Sequence, residues 1–173
     1  MNLQKLKPIK LLILDVDGVL TDGRVIYTDS GEEIKRFDAR DGHGLKLLMR
    51  SGIGVVLLTG RKSKAVLHRA RDLGIEHVHQ KATNKIAVYA EILTRSKVPD
   101  KNVAFVGDDL VDIPVLKRVG FSAAVPDAVP EVKEIVDYVT RKNGGEGAVR
   151  EICELLLKAQ NKWDKVTEKY HST

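Results

Sequence analysis

The amino-acid sequence predicts an α/β fold in which a doubly wound parallel sheet carries helices on both faces. Short, nearly continuous apolar runs alternate with segments of helical periodicity along the chain. Such runs are typical of strands buried on both faces. Glycine follows several of the helical segments, where it can end a helix. Strands that alternate with helices imply a parallel sheet with right-handed crossovers.

The first predicted strand, at 9–14, ends in two carboxylates. Asp15 and Asp17 are spaced i, i+2, so on an extended chain both side chains point the same way. Two like charges so close require a cation or a shared proton. The carboxyl end of a buried strand is where open α/β sheets bind ligands. A solvent-exposed loop is the alternative, and a calcium loop is excluded because Val19 occupies its third ligand position.

The later elements are predicted from local periodicity and turn residues. Apolar runs on either side of a glycine-containing turn indicate a β-hairpin, and apolar residues at three- and four-residue spacing indicate helices. In chain order these elements are a hairpin at about 24–37, helices at 45–50, 64–73, 84–95, up to about 119, 131–138 and 148–160, and strands at 53–58, 75–79, 103–106 and 121–125. A glycine-rich break precedes the last helix, and residues 171–173 are expected to be disordered.

Composition limits the classes of protein to which the chain can belong. Its 173 residues are expected to form one domain, and no apolar stretch is long enough to span a bilayer. The N-terminus lacks the apolar segment of a signal peptide, and the single Cys153 excludes an internal disulfide, so a cytoplasmic location is expected. A net charge of +5 with only 5% aromatic residues favours an anionic small substrate over nucleic acid.

Polar residues follow three of the predicted strands. They are Asp15 with Asp17, then Thr59, then Asp108 with Asp109. Because the carboxyl ends of parallel strands lie at one edge of the sheet, these groups can converge. Lys85 opens a helix that we expect to begin at the opposite edge, so its side chain would need an unusual approach to join them.

This set of residues resembles the four motifs of the haloacid dehalogenase superfamily, in order. The matching segments are 15–21, Thr59-Gly60-Arg61, Lys85 and 107–112. A narrower resemblance is to a capless subfamily of sugar-acid phosphate phosphatases, and it rests on Thr21-Asp22-Gly23, Arg36-Phe37, Asp41-Gly42, Gly60-Arg61 and 141–147. The resemblance spans nearly the whole chain. It implies a Rossmann-like fold with a β-hairpin insertion and no cap domain.

The resemblance implies an Mg²⁺-dependent phosphatase that works through an aspartyl-phosphate. A carboxylate nucleophile divides phosphate-ester hydrolysis into two easier steps, and Mg²⁺ screens it from the anionic substrate. The implied roles are Asp15 as nucleophile; Asp17 as acid and base; Asp15, Asp108 and the Asp17 carbonyl as metal ligands; Thr59, Gly60 and Lys85 as holders of the phosphoryl oxygens; Asp109 and Asp112 as supports of the metal or of Lys85; and Phe37, Arg61 and Arg69 as substrate-binding residues.

Each of these roles has a structural alternative. Thr59, Asp109 and Asp112 can be helix caps, Lys85 a solvated lysine, and Phe37 a core residue. The implied substrate is 3-deoxy-D-manno-octulosonate 8-phosphate, in lipopolysaccharide precursor synthesis. A nine-carbon ulosonate 9-phosphate is the first alternative, and it is disfavoured because such relatives carry Glu and Lys in place of Arg61 and Asp72. A non-catalytic binding module on the same fold is the second.

The hairpin predicts association. An isolated two-stranded hairpin is marginal, and this one has too much apolar surface to be left exposed, on Val25, Ile26, Tyr27, Ile34 and Phe37. Because related phosphatases are tetramers in which such hairpins pack together, the resemblance implies a homotetramer. It also implies that the tail at 144–147 covers a neighbouring subunit's site, with Arg141 or Lys142 near the substrate entrance. The alternative is a linker to a helix that packs on its own subunit.

Overall fold

Residues 3–170 of the chain are described by a computed structural model. Within this range, six of eight strands pair in parallel as one sheet, and the other two form an antiparallel hairpin. The strands are β1 (Leu11–Leu14), β2 (Ile26–Tyr27), β3 (Glu33–Ile34), β4 (Gly54–Leu58), β5 (His77–His79), β6 (Val103–Gly107), β7 (Phe121–Ala124) and β8 (Tyr138–Val139). The sheet order is β5-β4-β1-β6-β7-β8, so the predicted parallel sheet and hairpin insertion are confirmed.

Helices cover both faces of the sheet. They are α1 (Ala39–Arg50), α2 (Lys64–Leu73), α3 (Lys85–Ser96), α4 (Ile113–Leu116), α5 (Pro130–Lys133), α6 (Ala148–Ala159) and α7 (Trp163–Thr167). Short 3₁₀ turns lie at Leu3–Lys5, Asp100–Asn102, Leu110–Asp112 and Glu168–Tyr170. Among the helices of residues 3–170, none has the length and apolar character needed to cross a bilayer.

The central strand β1 is buried on both faces, which explains its continuous apolar sequence. Leu12 and Leu14 join a hydrophobic cluster with α1, α2 and α6, whereas Leu11 and Ile13 join a second cluster with α3, α4 and α5. Successive side chains of a strand point to opposite faces, so only an unbroken apolar run satisfies both clusters. The strand therefore ends at a fixed position, between β4 and β6, in the middle of the sheet.

The helix predicted at 45–50 begins earlier than expected. α1 starts at Ala39 because the Asp38 side chain accepts hydrogen bonds from the amides of Arg40 and Asp41 and so caps the helix. Gly42 is tolerated inside the helix because of close packing: a Cβ there would lie 2.2 Å from an Arg69 nitrogen. The prediction of a later start treats Gly42 and Gly44 as helix breakers and overlooks Asp38 as the N-cap.

Predictions for the second half of the chain also need correction. The helix expected at 131–138 is only α5, four residues long, and Tyr138 and Val139 instead pair with β7 as the edge strand β8. The helix expected to reach about 119 is a 3₁₀ turn followed by α4, which ends at Leu116. α7 was not predicted. The disorder expected at 171–173 lies outside the described residues.

The glycine-rich segment at 143–147 packs on the loop that follows β1 of its own chain. A Cβ on Gly144 would lie 1.7 Å from the Gly18 carbonyl oxygen, and the Gly145 amide donates to the Val19 carbonyl at 3.0 Å. α6 then packs against α1, with its inward side chains fully buried. In the single chain the segment therefore packs on its own subunit, as does the helix that follows it.

Asp41 joins these two helices. Its side chain is buried, and its Oδ1 accepts a hydrogen bond at 2.7 Å from the Arg150 amide in the first turn of α6. Its Oδ2 has no hydrogen-bond partner. Burial raises the pKa of Asp41 to about 6, and the Asp38 charge adds to the rise, against the backbone hydrogen bond from Arg150.

Removal of the chain after Arg141 should abolish folding. Such a truncation deletes five fully buried apolar side chains of α6, namely Val149, Ile152, Cys153, Leu156 and Leu157. At about 1.5–3 kcal/mol for each, their loss is on the order of 10 kcal/mol, as large as the total stability of a typical domain. Circular dichroism should show no cooperative thermal transition, whereas a chain that ends at Tyr170 should retain one. A folded truncation would contradict this packing.

Asp41→Asn should become progressively more stabilising, relative to wild type, as the pH rises. The folded state raises this pKa, so it binds the proton more tightly than the unfolded state, and wild type loses stability between about pH 4 and about pH 6. Urea unfolding should show the difference between variant and wild type growing by about 2 kcal/mol across that window. The surface variant Asp72→Asn is the control. A constant difference at all pH values would disprove the shift.

Candidate active site

A cleft of about 330 Å³ opens at the carboxyl ends of β1, β4 and β6. Eight of the residues predicted for the site line it: Asp15, Asp17, Thr59, Gly60, Arg61, Lys85, Asp108 and Asp109. The sheet thus brings together side chains that are up to 94 positions apart in the sequence, as the parallel topology predicted.

Asp15 is the most buried acid of the cleft lining. It follows β1 directly, its amide donates to the Val106 carbonyl at 3.0 Å, and its side chain is only 8% exposed. Its Oδ1 lies 3.0 Å from the Lys85 ammonium nitrogen. Burial raises the pKa of Asp15 to about 6, with a further rise from the Asp112 charge, while Lys85 opposes the shift. The fold therefore holds a carboxylate where its charge is not fully compensated.

Lys85 corrects an expectation from the sequence. As the first residue of α3, it lies at the same sheet edge as Asp15, because a helix that follows a parallel strand begins where that strand ends. Its side chain is 3% exposed and its nitrogen donates to Asp112 Oδ1 at 2.6 Å. Burial opposes the charge, yet Asp15 and Asp112 raise the pKa of Lys85 above its ordinary value. The alternative of a solvated lysine is wrong.

Asp112 is fully buried and supports both Lys85 and the loop after β6. Besides Lys85, it accepts hydrogen bonds from the amides of Asp108 and Asp109, at 3.0 and 3.3 Å. Asp109 itself is exposed and accepts from the Leu110 amide at 2.7 Å, as the cap of the 3₁₀ turn. Asp109 and Asp112 therefore both cap the 3₁₀ turn, as the alternative of a helix cap predicts. Asp112 in addition binds Lys85.

The negative charge of Asp108 is poorly stabilised by its surroundings. Burial raises its pKa to about 8, together with the charges of Asp15 and Asp112. Its Oδ1 is buried without a hydrogen-bond partner. A third acid next to two others, with Lys85 as the one cation recorded beside them within residues 3–170, is strongly unfavourable unless a further cation is present.

A divalent cation fits this cluster. One carboxylate oxygen each from Asp15, Asp108 and Asp112 lies within 4.8 Å of the others. Hard oxygen donors of this kind are what Mg²⁺ prefers. Gly18 makes the approach possible, because a Cβ there would lie 1.9 Å from Asp108 Oδ2 and its φ is +86°. The cluster contains two of the predicted metal ligands, Asp15 and Asp108, and its third carboxylate is that of Asp112.

Thr59 and Gly60 form the turn after β4 on the far side of the cleft. Thr59 is buried, its amide donates to the His79 carbonyl, and its Oγ1 accepts from the Arg61 amide at 3.2 Å. Gly60 is exposed, and the nearest atom to a Cβ built there is 3.9 Å away. The turn therefore presents small groups to the cleft and leaves room for a ligand near Lys85.

The hairpin reaches the cleft through side chains that the sequence reading missed. The Lys35 ammonium contacts the Asp17 carboxylate and lies 3.4 Å from Glu33. Arg61 bonds to Glu33 at 3.0 Å and to the Tyr27 hydroxyl at 3.2 Å. The i, i+2 spacing of Glu33 and Lys35 on a strand was the available signal, since it places both side chains on one face.

Phe37 and Arg69 do not line the cleft. Phe37 packs against the hydrophobic cluster of α1, α2 and α6, and the Arg69 guanidinium lies 5.8 Å from its ring centre. Arg69 also donates to the Asp38 carbonyl at 3.0 Å. Both residues therefore fix the start of α1, and the expectation that they contact substrate is not supported by their positions in this chain.

Comparison with known proteins places this geometry in a family. Residues 74–152 match the haloacid dehalogenase-like hydrolases. The chain is 50% identical to the 3-deoxy-D-manno-octulosonate 8-phosphate phosphatase KdsC of Escherichia coli K12 over 161 residues, which is 93% of this chain and 86% of that protein. It is 46% identical to the KdsC of Yersinia pestis over 95% of this chain and 88% of that one.

Solved structures match over nearly the whole chain. The 3-deoxy-D-manno-octulosonate 8-phosphate phosphatase from Moraxella catarrhalis, in complex with magnesium ion, phosphate ion and KDO, superposes with a TM-score of 0.96 and 41% identity, covering 98% of this chain and 97% of that one. The cobalt-bound phosphatase YrbI from Haemophilus influenzae gives 0.89 and 43%, covering 92% and 93%. Relatives with this fold therefore carry divalent metal.

Proposed function

Since the chain belongs to the haloacid dehalogenase-like hydrolases, we propose that it hydrolyses 3-deoxy-D-manno-octulosonate 8-phosphate to the free sugar acid and phosphate, in lipopolysaccharide precursor synthesis. It is a phosphoric monoester hydrolase with Mg²⁺ as its cofactor. The observation that carries the proposal is the buried pair of Asp15 and Lys85 beside the partnerless Asp108 oxygen. The chain acts as one domain without a cap.

Asp15 is the nucleophile in the proposed mechanism. Its carboxylate oxygen forms a bond to phosphorus while the bond from phosphorus to the sugar oxygen breaks, and Asp17 donates a proton to that leaving oxygen. Asp17 then takes a proton from water as the water oxygen attacks phosphorus. The acyl-phosphate bond breaks, phosphate leaves, and the Asp15 carboxylate is restored. Both carboxylates line the same cleft, as this sequence of steps requires.

The remaining residues stabilise charge. Lys85, the Thr59 hydroxyl and the Gly60 amide bind phosphoryl oxygens as negative charge shifts onto them. Asp15, Asp108 and the Asp17 carbonyl would hold Mg²⁺, which supplies the positive charge that lets two anions approach. Asp112 keeps Lys85 directed at Asp15, since it accepts a 2.6 Å hydrogen bond from the same ammonium group.

The substrate is assigned through Arg61. A guanidinium at the rim of the phosphate-binding turn suits the carboxylate of a sugar acid, which it can bind through two parallel hydrogen bonds. In this chain the group is anchored by Glu33 and Tyr27 of the hairpin, so its position is fixed before substrate binds. Arg61 with Asp72 favours the eight-carbon substrate over a nine-carbon ulosonate 9-phosphate, which is the second candidate.

Asp15→Asn should abolish phosphatase activity in the presence of Mg²⁺. The amide keeps the shape of the side chain but cannot act as the nucleophile. Release of phosphate from the sugar phosphate should fall by at least about a thousandfold, while Asp164→Asn, at an exposed acid of α7, stays near wild type. Near-normal turnover by the Asn variant would refute the covalent mechanism. An inactive wild type, with and without Mg²⁺, would leave the non-catalytic binding module as the function.

Arg61→Ala should distinguish substrates that carry a carboxylate. Loss of one charge-assisted interaction costs on the order of 2 kcal/mol, or about thirtyfold in kcat/KM for the sugar-acid phosphate. A phosphate ester of similar size without the carboxylate should lose much less. Lys64→Ala, at a neighbouring exposed lysine, is the control. Equal losses on both substrates would remove Arg61 from carboxylate recognition.

We propose in addition a cytoplasmic homotetramer in which hairpins of different subunits pack together. Support comes from four hairpin residues with 43–60% of their surface exposed, namely Val25, Ile26, Tyr27 and Ile34. So many exposed apolar side chains on one short hairpin are unusual for a monomer. Because 144–147 packs on its own chain, the contribution of the tail to a neighbouring site is assigned to Arg141 and Lys142, which are exposed.

Ile26→Glu should dissociate the assembly. A charge in the centre of an apolar contact is not compensated, so light scattering should change from a mass near four chains to one chain. The control is Lys158→Glu, on the exposed side of α6. A monomeric wild type would end the proposal. For the tail, Arg141→Ala with Lys142→Ala should lower activity in the tetramer only, and an unchanged rate would end that assignment.

A further inference from the structure

We propose that Lys35 of the hairpin is a positioning residue that fixes the direction of the Asp17 carboxylate in the cleft. The proposal deepens the proposed function, because it rests on Asp17 as the acid and base of the reaction. It concerns a residue that makes no contact with the reacting atoms and acts through another side chain.

The first observation is the burial of the Lys35 side chain. Only 1% of it is exposed, although the hairpin around it is largely exposed. Lysine is almost never buried so completely unless it is paired. Its ammonium group contacts Asp17 Oδ1 and lies 3.4 Å from Glu33 Oε1. A lysine that served only solubility would extend into water, so this one is held inward by the two carboxylates.

The second observation is how few groups hold Asp17. Among residues 3–170, the other cation recorded near its carboxylate is Arg61, whose Nε lies 3.9 Å from Oδ2. That guanidinium is already engaged by Glu33 and Tyr27. The contact with Lys35 is therefore the closest restraint on the side-chain torsions of Asp17. Glu33 of β3 lies 3.4 Å from the lysine nitrogen and helps to hold it, so the hairpin supplies this restraint.

The orientation of the Asp17 carboxylate matters because Asp17 acts as a general acid. A general acid must lie within hydrogen-bond reach of the leaving oxygen, and a misplacement of about 1 Å can cost about a hundredfold in rate. Asp17 is 21% exposed, so water competes for its oxygens and other rotamers are open to it. A buried ammonium group that binds one oxygen restricts these rotamers and leaves the second oxygen available for proton transfer.

A simple anchoring role is the competing explanation. If Lys35 only holds the hairpin against the domain, its loss should disturb every substrate alike, because the whole wall of the cleft would move. If it acts through Asp17, its loss should matter only where the leaving group needs a proton. A sugar alkoxide needs that proton, whereas an activated aryl oxide does not.

The experiment measures kcat/KM of Lys35→Met on the sugar-acid phosphate and on an activated aryl phosphate, in the holoenzyme with saturating Mg²⁺. This parameter covers the steps up to formation of the aspartyl-phosphate, so it isolates the role of Asp17 as acid. Lys35→Met should lose about ten- to a hundredfold on the sugar phosphate and less than about threefold on the aryl phosphate. Arg36→Met is the matched control, because this hairpin cation pairs with Asp22, 3.2 Å away, instead of Asp17.

A double-mutant comparison tests whether Lys35 acts through Asp17. In an Asp17→Asn background, Lys35→Met should cause no further loss on the sugar phosphate. Lys35→Arg keeps the charge but moves it, so its kcat/KM should fall between wild type and Lys35→Met. If Lys35→Met lacks a thermal transition, Lys35→Arg is compared on the two substrates instead, and the same dependence on leaving group is expected.

Opposite results would overturn the proposal. Equal losses on both substrates, or an independent loss in the Asp17→Asn background, would show that Lys35 only anchors the hairpin. A wild-type rate in Lys35→Met would refute it outright. Failure of the underlying function is distinguishable, since Asp17→Asn alone would then lose equally on both substrates, whatever happens at Lys35.

Discussion

Three carboxylates, two of them buried and one half-buried, cluster around one lysine, and this imbalance of charge governs the rest of the site. Asp15 and Asp112 both contact the Lys85 ammonium group, and Asp108 lies beside them with an oxygen that no group satisfies. In a low-dielectric setting such a cluster either takes up protons or takes up a cation. The raised pKa values of Asp15 and Asp108 show that uptake of protons is favoured when no cation is bound. A divalent cation supplies the second and leaves Asp15 ionised, as a nucleophile must be.

The fold can hold this unfavourable cluster together because the backbone around it is fixed by packing and hydrogen bonds. β1 is buried on both faces and hydrogen-bonded on both sides, so the position of Asp15 does not depend on loop conformation. Gly18 admits the Asp108 carboxylate at a distance that any side chain would block. The glycine-rich segment before α6 closes against the same loop from outside. The exposed hairpin adds contacts that reach Asp17 and Arg61 at the rim of the cleft.

The sequence predicted the parts of the structure that follow from periodicity and topology. Continuous apolar runs identified the parallel strands, and the common edge of those strands correctly brought Asp15, Thr59 and Asp108 together. Local propensity failed where a tertiary contact decided the outcome: Gly42 and Gly44 sit inside α1 because Arg69 and Arg150 pack closely against them. The contacts of Lys35 and the core position of Phe37 depend on how the hairpin docks, which no local pattern contains.

The most direct test of the electrostatic account is the effect of Mg²⁺ on thermal unfolding of wild type and of Asp108→Asn. At a concentration of about one hundred times the dissociation constant, a cation bound only to the folded state adds about 2.7 kcal/mol, or about 5–10 °C in Tm for a chain of this size. Wild type should show this rise, and Asp108→Asn should start from a higher Tm without Mg²⁺ and rise much less. An equal rise in both proteins, or none in wild type, would contradict the claim that the buried carboxylates are balanced by a bound cation.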